Sequence, residues 1–116
     1  MRRSIDWATS ETADWWGRKM PRLEVTGTNG FEKVIYLRES DPITIGRSPE
    51  NTLTEGGSAL SRKHATIMLS EGIVVLRDHN SSNGTFLNGE EIHRPHVLEQ
   101  NDIITCGDLE ITYFED

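Results

Sequence analysis

Cysteine is almost absent from this chain: Cys106 stands alone, which excludes an internal disulfide framework and a thiolate metal cage. Long apolar runs are absent too. No segment approaches the roughly 18 consecutive apolar residues that a membrane-spanning helix requires. The basic start Met1-Arg2-Arg3-Ser4 leads into Ile5-Asp6-Trp7 and polar residues, with no signal-peptide core. These absences point to a soluble, intracellular, cytoplasmic protein that does not engage a membrane. Positive charge is also scarce, the net charge being −7. Binding to a nucleic-acid backbone draws on a basic face, so nucleic acid is not expected as a partner. Hydrophobic residues make up only 34% of the 116, but they are concentrated in short runs, as in one domain with a thin core rather than a disordered chain.

Those runs are strand-like. From Arg22 onward, Leu23-Glu24-Val25 ends at Gly27-Thr28-Asn29-Gly30, whose Asn-Gly pair signals a hairpin. Val34-Ile35-Tyr36-Leu37 and Ile43-Thr44-Ile45 follow. After a loop containing a short strand at Leu53 come Ala65-Thr66-Ile67-Met68-Leu69 and Ile73-Val74-Val75-Leu76-Arg77. Thr85-Phe86-Leu87, Glu91-Ile92, Asp102-Ile103-Ile104-Thr105 and Leu109-Glu110-Ile111-Thr112-Tyr113 complete the series. About ten short strands without a helical period imply an antiparallel sandwich. Residues 1–20 differ: they hold all three tryptophans, show no alternation, and read as a flexible N-terminal tail. A helix over residues 7–16 would be too short to be stable without a partner.

Four polar motifs are set into the strands between positions 46 and 89: Gly46-Arg47, Ser61-Arg62-Lys63-His64, Ser81-Ser82-Asn83-Gly84-Thr85 and Asn88-Gly89. Their side chains suit a phosphate ester, because a guanidinium offers a planar fork of N–H donors and hydroxyls or amides add orientation. Arg47, Arg62 and Lys63 would make a local basic patch on an acidic protein, enough for one isolated phosphate.

Each motif also has a plainer reading. An Arg at a strand end is ordinarily solvated, but Gly46 before Arg47 marks a place where backbone bends or is closely approached. Ser61 and His64 invite a catalytic triad with Asp78 or Asp102. The surrounding Ala59-Leu60-Ser61-Arg62-Lys63 is no nucleophile elbow, however, and supplies no oxyanion hole, so no enzyme is expected. His64 reads instead as a structural histidine satisfying loop backbone. Ser82-Asn83-Gly84-Thr85 is turn chemistry that would also present the Asn83 amide beside the Ser82 hydroxyl. Asn88-Gly89 reads as a hairpin turn. His93 and His96 have no carboxylate or thiolate beside them, and Pro95 blocks a helical pairing, so no metal is expected. The glycines lack Walker spacing, and no cofactor is implied.

Gly46-Arg47, Ser61-Arg62-x-His64-Ala65, Asp78 with Ser81-Ser82-Asn83-Gly84-Thr85, Leu87-Asn88-Gly89, and Leu98 with Asn101-Asp102-Ile103-Ile104 together resemble the motif set of forkhead-associated domains, over residues 22–114. The resemblance implies an all-β, antiparallel β-sandwich of about eleven strands with its binding loops at one end. It implies a domain over residues 21–116 that is not an enzyme. Such a module serves signalling or adaptor roles, recognising phosphothreonine in partner proteins modified by an upstream Ser/Thr kinase.

Carried over by motif, Arg47 and Ser61 should bind phosphate oxygens and Ser82 should add a hydroxyl donor. Arg62 should be a second cation or a backbone contact, and Asn83 should hydrogen-bond the peptide main chain. Gly46, His64, Gly84 and Thr85 should support the site. Two positions depart from the pattern, Thr52-Leu53 where Asp-Ile is frequent and Asn101 where Gly often precedes Asp102. Ala59, two residues before Ser61, stands where selectivity for the third residue after the phosphothreonine is often set. It cannot pair with an acidic side chain, which points to an aliphatic preference or none.

In the tail, Thr9 and Thr12 lie near Glu11 and Asp14 and are candidate phosphosites. About ten extended residues reach roughly 33 Å, enough to bring them to the chain's own loops or to a neighbour's, as self-inhibition or a homodimer. The alternative is a phosphate-independent protein–protein assembly domain acting through the sandwich faces and the Trp-rich tail.

Overall fold

The computed structural model describes residues 20–115, so the expectations for the tail, including Thr9 and Thr12, lie outside the described residues. Among the described residues ten strands form two sheets: β1 (Arg22–Thr26), β2 (Glu32–Tyr36), β3 (Ile43–Ile45), β4 (Ala65–Ser70), β5 (Ile73–Asp78), β6 (Thr85–Leu87), β7 (Glu90–Glu91), β8 (His96–Val97), β9 (Ile103–Cys106) and β10 (Leu109–Phe114). One sheet has the order β2-β1-β10-β9-β6-β7 and the other β3-β4-β5-β8. Every named pair is antiparallel, so the expected all-β antiparallel sandwich is what the chain adopts.

Alternation explains the layering. In β1, Leu23 and Val25 are buried while Glu24 and Thr26 are exposed; in β10, Leu109, Ile111 and Tyr113 are buried. Side chains two apart share a face of a strand, so β1 and β10 present one apolar row each to the opposite sheet. That sheet answers with Ile43, Ile45, Ala65, Ile67, Val74 and Leu76, all in the same core. Leu53, Leu60, Ile92 and Leu98 close the core from the loops. The edge strand β2 carries Lys33 opposite the inward-facing Val25, yet Lys33 is exposed. A charge in an inward register at a sheet edge discourages pairing with another chain.

Three local features differ from the sequence reading. The stretch after Gly27 is a short 3-10 turn over Thr28–Gly30, with Asn29 and Gly30 at φ 57° and 77°, so the β1–β2 connection is longer than a two-residue hairpin. Leu53 forms a single parallel bridge with Ile45 rather than a strand. The two-residue strand β8 follows Pro95 and pairs with β5 through His96 opposite Leu76. A segment that short carries no readable alternation.

The register also sets one end of the molecule apart. Ile45 lies opposite Ala65 and Ala65 opposite Asp78, while in the other sheet Thr85 lies opposite Cys106. The end of β3, the start of β4, the end of β5 and the start of β6 therefore meet at that end, with the polar motifs in the loops between them.

Candidate functional site

Three devices fix these loops. The first extends β3 beyond Ile45. The Arg47 N–H donates to the Ser61 carbonyl at 2.8 Å and the Ser48 N–H to the Arg62 carbonyl at 3.3 Å. The Asn51 amide clips the turn by donating to the carbonyls of Ser48 at 3.0 Å and Arg62 at 2.8 Å. The pairing needs a glycine at 46, since a Cβ there would stand 2.1 Å from the Arg62 carbonyl oxygen. The contact that sequence could only suggest is thus a close approach of two backbones.

The second device is His64, whose ring is fully buried. Nδ1 accepts the Ser61 N–H at 3.0 Å, and Nε2 lies 2.8 Å from the Gly84 carbonyl. A carbonyl can only accept, so the proton sits on Nε2, and one imidazole ties the 61 loop to the 81–84 turn across the two sheets. Both ring nitrogens are engaged with backbone, so neither serves the Ser61 hydroxyl as a base.

The third device is the turn after β5. The Asp78 carboxylate accepts from the Ser81 N–H and hydroxyl at 3.2 and 2.6 Å and from the Thr85 hydroxyl at 2.7 Å. Partial burial opposes ionisation, but these hydrogen bonds from Ser81 and Thr85 outweigh it and hold the Asp78 carboxyl below the usual carboxylate range. The Gly84 N–H closes the turn on the Ser81 hydroxyl at 3.0 Å. Thr85 is buried and accepts a long contact from the Cys106 thiol at 3.8 Å. Burial pushes that thiol up to about 12.

Between the loops lies an open groove of about 540 Å³. Of the residues expected to bind phosphate, Arg47, Ser61, Arg62 and Ser82 line it together. The Arg47 Nε donates to the Leu60 carbonyl at 3.1 Å, which orients the guanidinium and leaves its terminal N–H groups for a ligand. The Ser61 Oγ accepts the Ser82 N–H at 2.9 Å, so its own proton remains to be donated.

Asn83 is placed differently from its companions. Its amide donates to the Ala59 carbonyl at 2.8 Å and it is not among the groove-lining residues, though it is exposed. Ser48, Lys63 and Asn80 also line the groove. Lys63 had shown itself only through its charge. Ser48 is signalled by its place beside Arg47, and Asn80 by turn chemistry alone, with φ 56°. Asn51 carried no signal in sequence. The remaining motif, Asn88-Gly89, is the expected hairpin turn: φ values of 52° and 86° lie between the paired Leu87 and Glu90. The Asn88 side chain also joins β9, accepting from the Ile103 N–H at 3.0 Å. His93 is exposed, and His96 lies in β8.

The family model for the FHA domain matches residues 43–107, a span that contains every groove-lining residue. Among curated proteins, an ABC transporter ATP-binding/permease protein of Mycobacterium tuberculosis is 32% identical over 71 residues, 61% of this chain but 8% of that protein. The oxoglutarate dehydrogenase inhibitor of Corynebacterium efficiens is 31% identical over 78 residues, 67% of this chain and 54% of that protein. The chain thus spans only a part of the relatives it matches. Among solved structures, Mycobacterium tuberculosis EmbR in complex with a low-affinity phosphopeptide superimposes with a TM-score of 0.69 at 26% identity, covering 82% of this chain and 24% of that one. Family match, sandwich and loop architecture agree, and the chain belongs to the FHA domain family, a family of binding modules.

Proposed function

We propose that this domain reads phosphothreonine in a partner protein, with Arg47 and Ser61 on the phosphate oxygens, Ser82 as a further hydroxyl donor and Arg62 beside them as a second cation or a contact to the peptide. The observation that carries the reading is the pre-set pair of donors. Arg47 is held by the Leu60 carbonyl and Ser61 by the Ser82 N–H, so both face the groove before a ligand arrives. Donors fixed in advance lose less conformational entropy on binding. Charge-assisted hydrogen bonds contribute roughly 1.5–3 kcal/mol each, and a micromolar complex needs only about 8 kcal/mol, so a few such contacts decide binding.

Asn83 presents its free Oδ1 to a peptide N–H while its amide stays on Ala59, a main-chain contact that fixes the peptide's register. The EmbR structure is of a phosphopeptide complex, and the same class of ligand is proposed here, produced by an upstream Ser/Thr kinase. The tail supplies two candidate ligands on the chain itself, Thr9 and Thr12. Residues 1–19 join at Met20, beside the start of β1. Arg22 there pairs with Phe114 and Tyr36, at the sheet end opposite the groove. A tail phosphothreonine must therefore cross the length of β1 to reach its own loops, or reach those of a second copy.

Titration with matched phosphorylated and unphosphorylated peptide libraries tests the proposal. Binding confined to phosphothreonine peptides is the expected result, and equal binding of both forms overturns it. Equal binding would favour assembly through the outer faces instead, where Met68, Val75 and Val97 form an apolar row across β4, β5 and β8.

A further inference from the structure

We infer that the groove selects phosphothreonines that have a carboxylate side chain within about two residues on the same peptide, Arg62 and Lys63 being the residues that read it; the inference rests on the phosphothreonine reading above. Among the described residues, three cationic side chains line the groove, Arg47, Arg62 and Lys63, and no acidic residue does. Among the described residues, neither Arg62 nor Lys63 has an ion pair or a side-chain hydrogen bond. Asp78, in the neighbouring turn, directs its carboxylate to Ser81 and Thr85.

The surplus follows from charge. A phosphate ester carries roughly −1.5 to −2 at pH 7, so about one positive charge stays uncompensated when a singly phosphorylated, otherwise neutral peptide is bound. The protein as a whole is at −7, so its net charge disfavours acidic peptides and this patch opposes that background. An extended peptide advances about 3.4 Å per residue, and the two cations stand one and two residues after Ser61. A carboxylate one or two residues from the phosphothreonine is therefore within reach of a flexible Arg or Lys side chain, while a lysine at the same place adds like-charge repulsion.

The rule ranks the chain's own candidate ligands. Thr12 has two carboxylates within two residues, Glu11 and Asp14, whereas Thr9 has only Glu11.

The test is a calorimetric titration of the full 116-residue chain with synthetic phosphothreonine peptides. Their flanking positions one and two residues away carry alanine, glutamate or lysine, and each is measured at low and high salt. The glutamate peptide should bind about fivefold tighter than the alanine peptide, the size expected of one exposed charge pair. The lysine peptide should bind more weakly, and the spread should narrow as salt rises. Lys63→Ala and Arg62→Ala should each reduce the glutamate-to-alanine affinity ratio, whatever happens to absolute affinity. Equal affinities for the three phosphopeptides would overturn the inference and leave the proposed function standing. A ratio that survives both substitutions would also overturn it, while binding to none of the phosphopeptides would overturn the proposed function and this inference together.

Discussion

Arg47 illustrates how a single side chain is oriented by main-chain groups. Its own N–H and its Nε are taken by the Ser61 and Leu60 carbonyls in the loop before β4, but the side chain is exposed and supports no part of the core. Arg47→Ala should therefore lower phosphopeptide affinity by at least about tenfold, the loss of one charge-assisted bond, with a nearly unchanged melting temperature. Calorimetry and a thermal melt on the same preparation check both halves. Gly46 is the opposite case. A methyl group at 46 would push against the Arg62 carbonyl at 2.1 Å and the Asn51 amide at 2.6 Å, so Gly46→Ala should cost stability and binding together, by separating the two backbones that carry Arg47 and Ser61. Retention of wild-type melting and affinity by that variant would contradict the account of the loop.

At the scale of elements, the loop before β4 and the turn before β6 act as one unit because the buried His64 joins them. His64→Ala removes acceptor and donor at once and strands the Ser61 N–H and the Gly84 carbonyl, each at about 1–3 kcal/mol. A drop in melting temperature with a parallel loss of phosphopeptide binding is expected, although His64 does not line the groove. The Asp78 turn adds a pH dependence. Its carboxyl is held below the ordinary value by hydrogen bonds from Ser81 and Thr85 acting against burial, so its contribution is complete above the unfolded pKa near 3.9 and is lost as pH falls through the lower folded value. The gap in melting temperature between wild type and Asp78→Asn should stay constant above about pH 5 and shrink below about pH 4. A gap that persists to the acid limit would contradict this role.

On the scale of the whole molecule, the two sheets close over Cys106, which is fully buried, with its thiol pushed up to about 12 by desolvation. Its alkylation by iodoacetamide at mildly alkaline pH should proceed only as fast as the sandwich opens, and should accelerate in denaturant in step with unfolding. Rapid modification of the native protein would mean that the core is not closed as described. The charge distribution is likewise a molecular property. A net −7 surrounds a groove lined by three cations, so binding should depend on the ligand's second phosphate ionisation near pH 6 and weaken in mildly acidic buffer.

The alternation of Leu23 with Val25 and of Leu109, Ile111 and Tyr113, the turn residues Asn88-Gly89, and the order of the polar motifs were legible without coordinates, because each depends on near neighbours in the chain. β8, the clip at Asn51, the anchoring of Asn83 on Ala59, and the presence of Ser48 and Asn80 in the groove were not. Asn51 reaches Arg62, 11 residues away, and Asn83 reaches Ala59, 24 residues away, and His96 of β8 meets Leu76, partners brought close only when the strands pair. Local chemistry therefore set which residues stand in loops and which in the core. Packing of one sheet on the other decided which loop side chains stay free for a ligand and which are consumed in holding the loops, because a buried donor or acceptor has to find a partner within the fold.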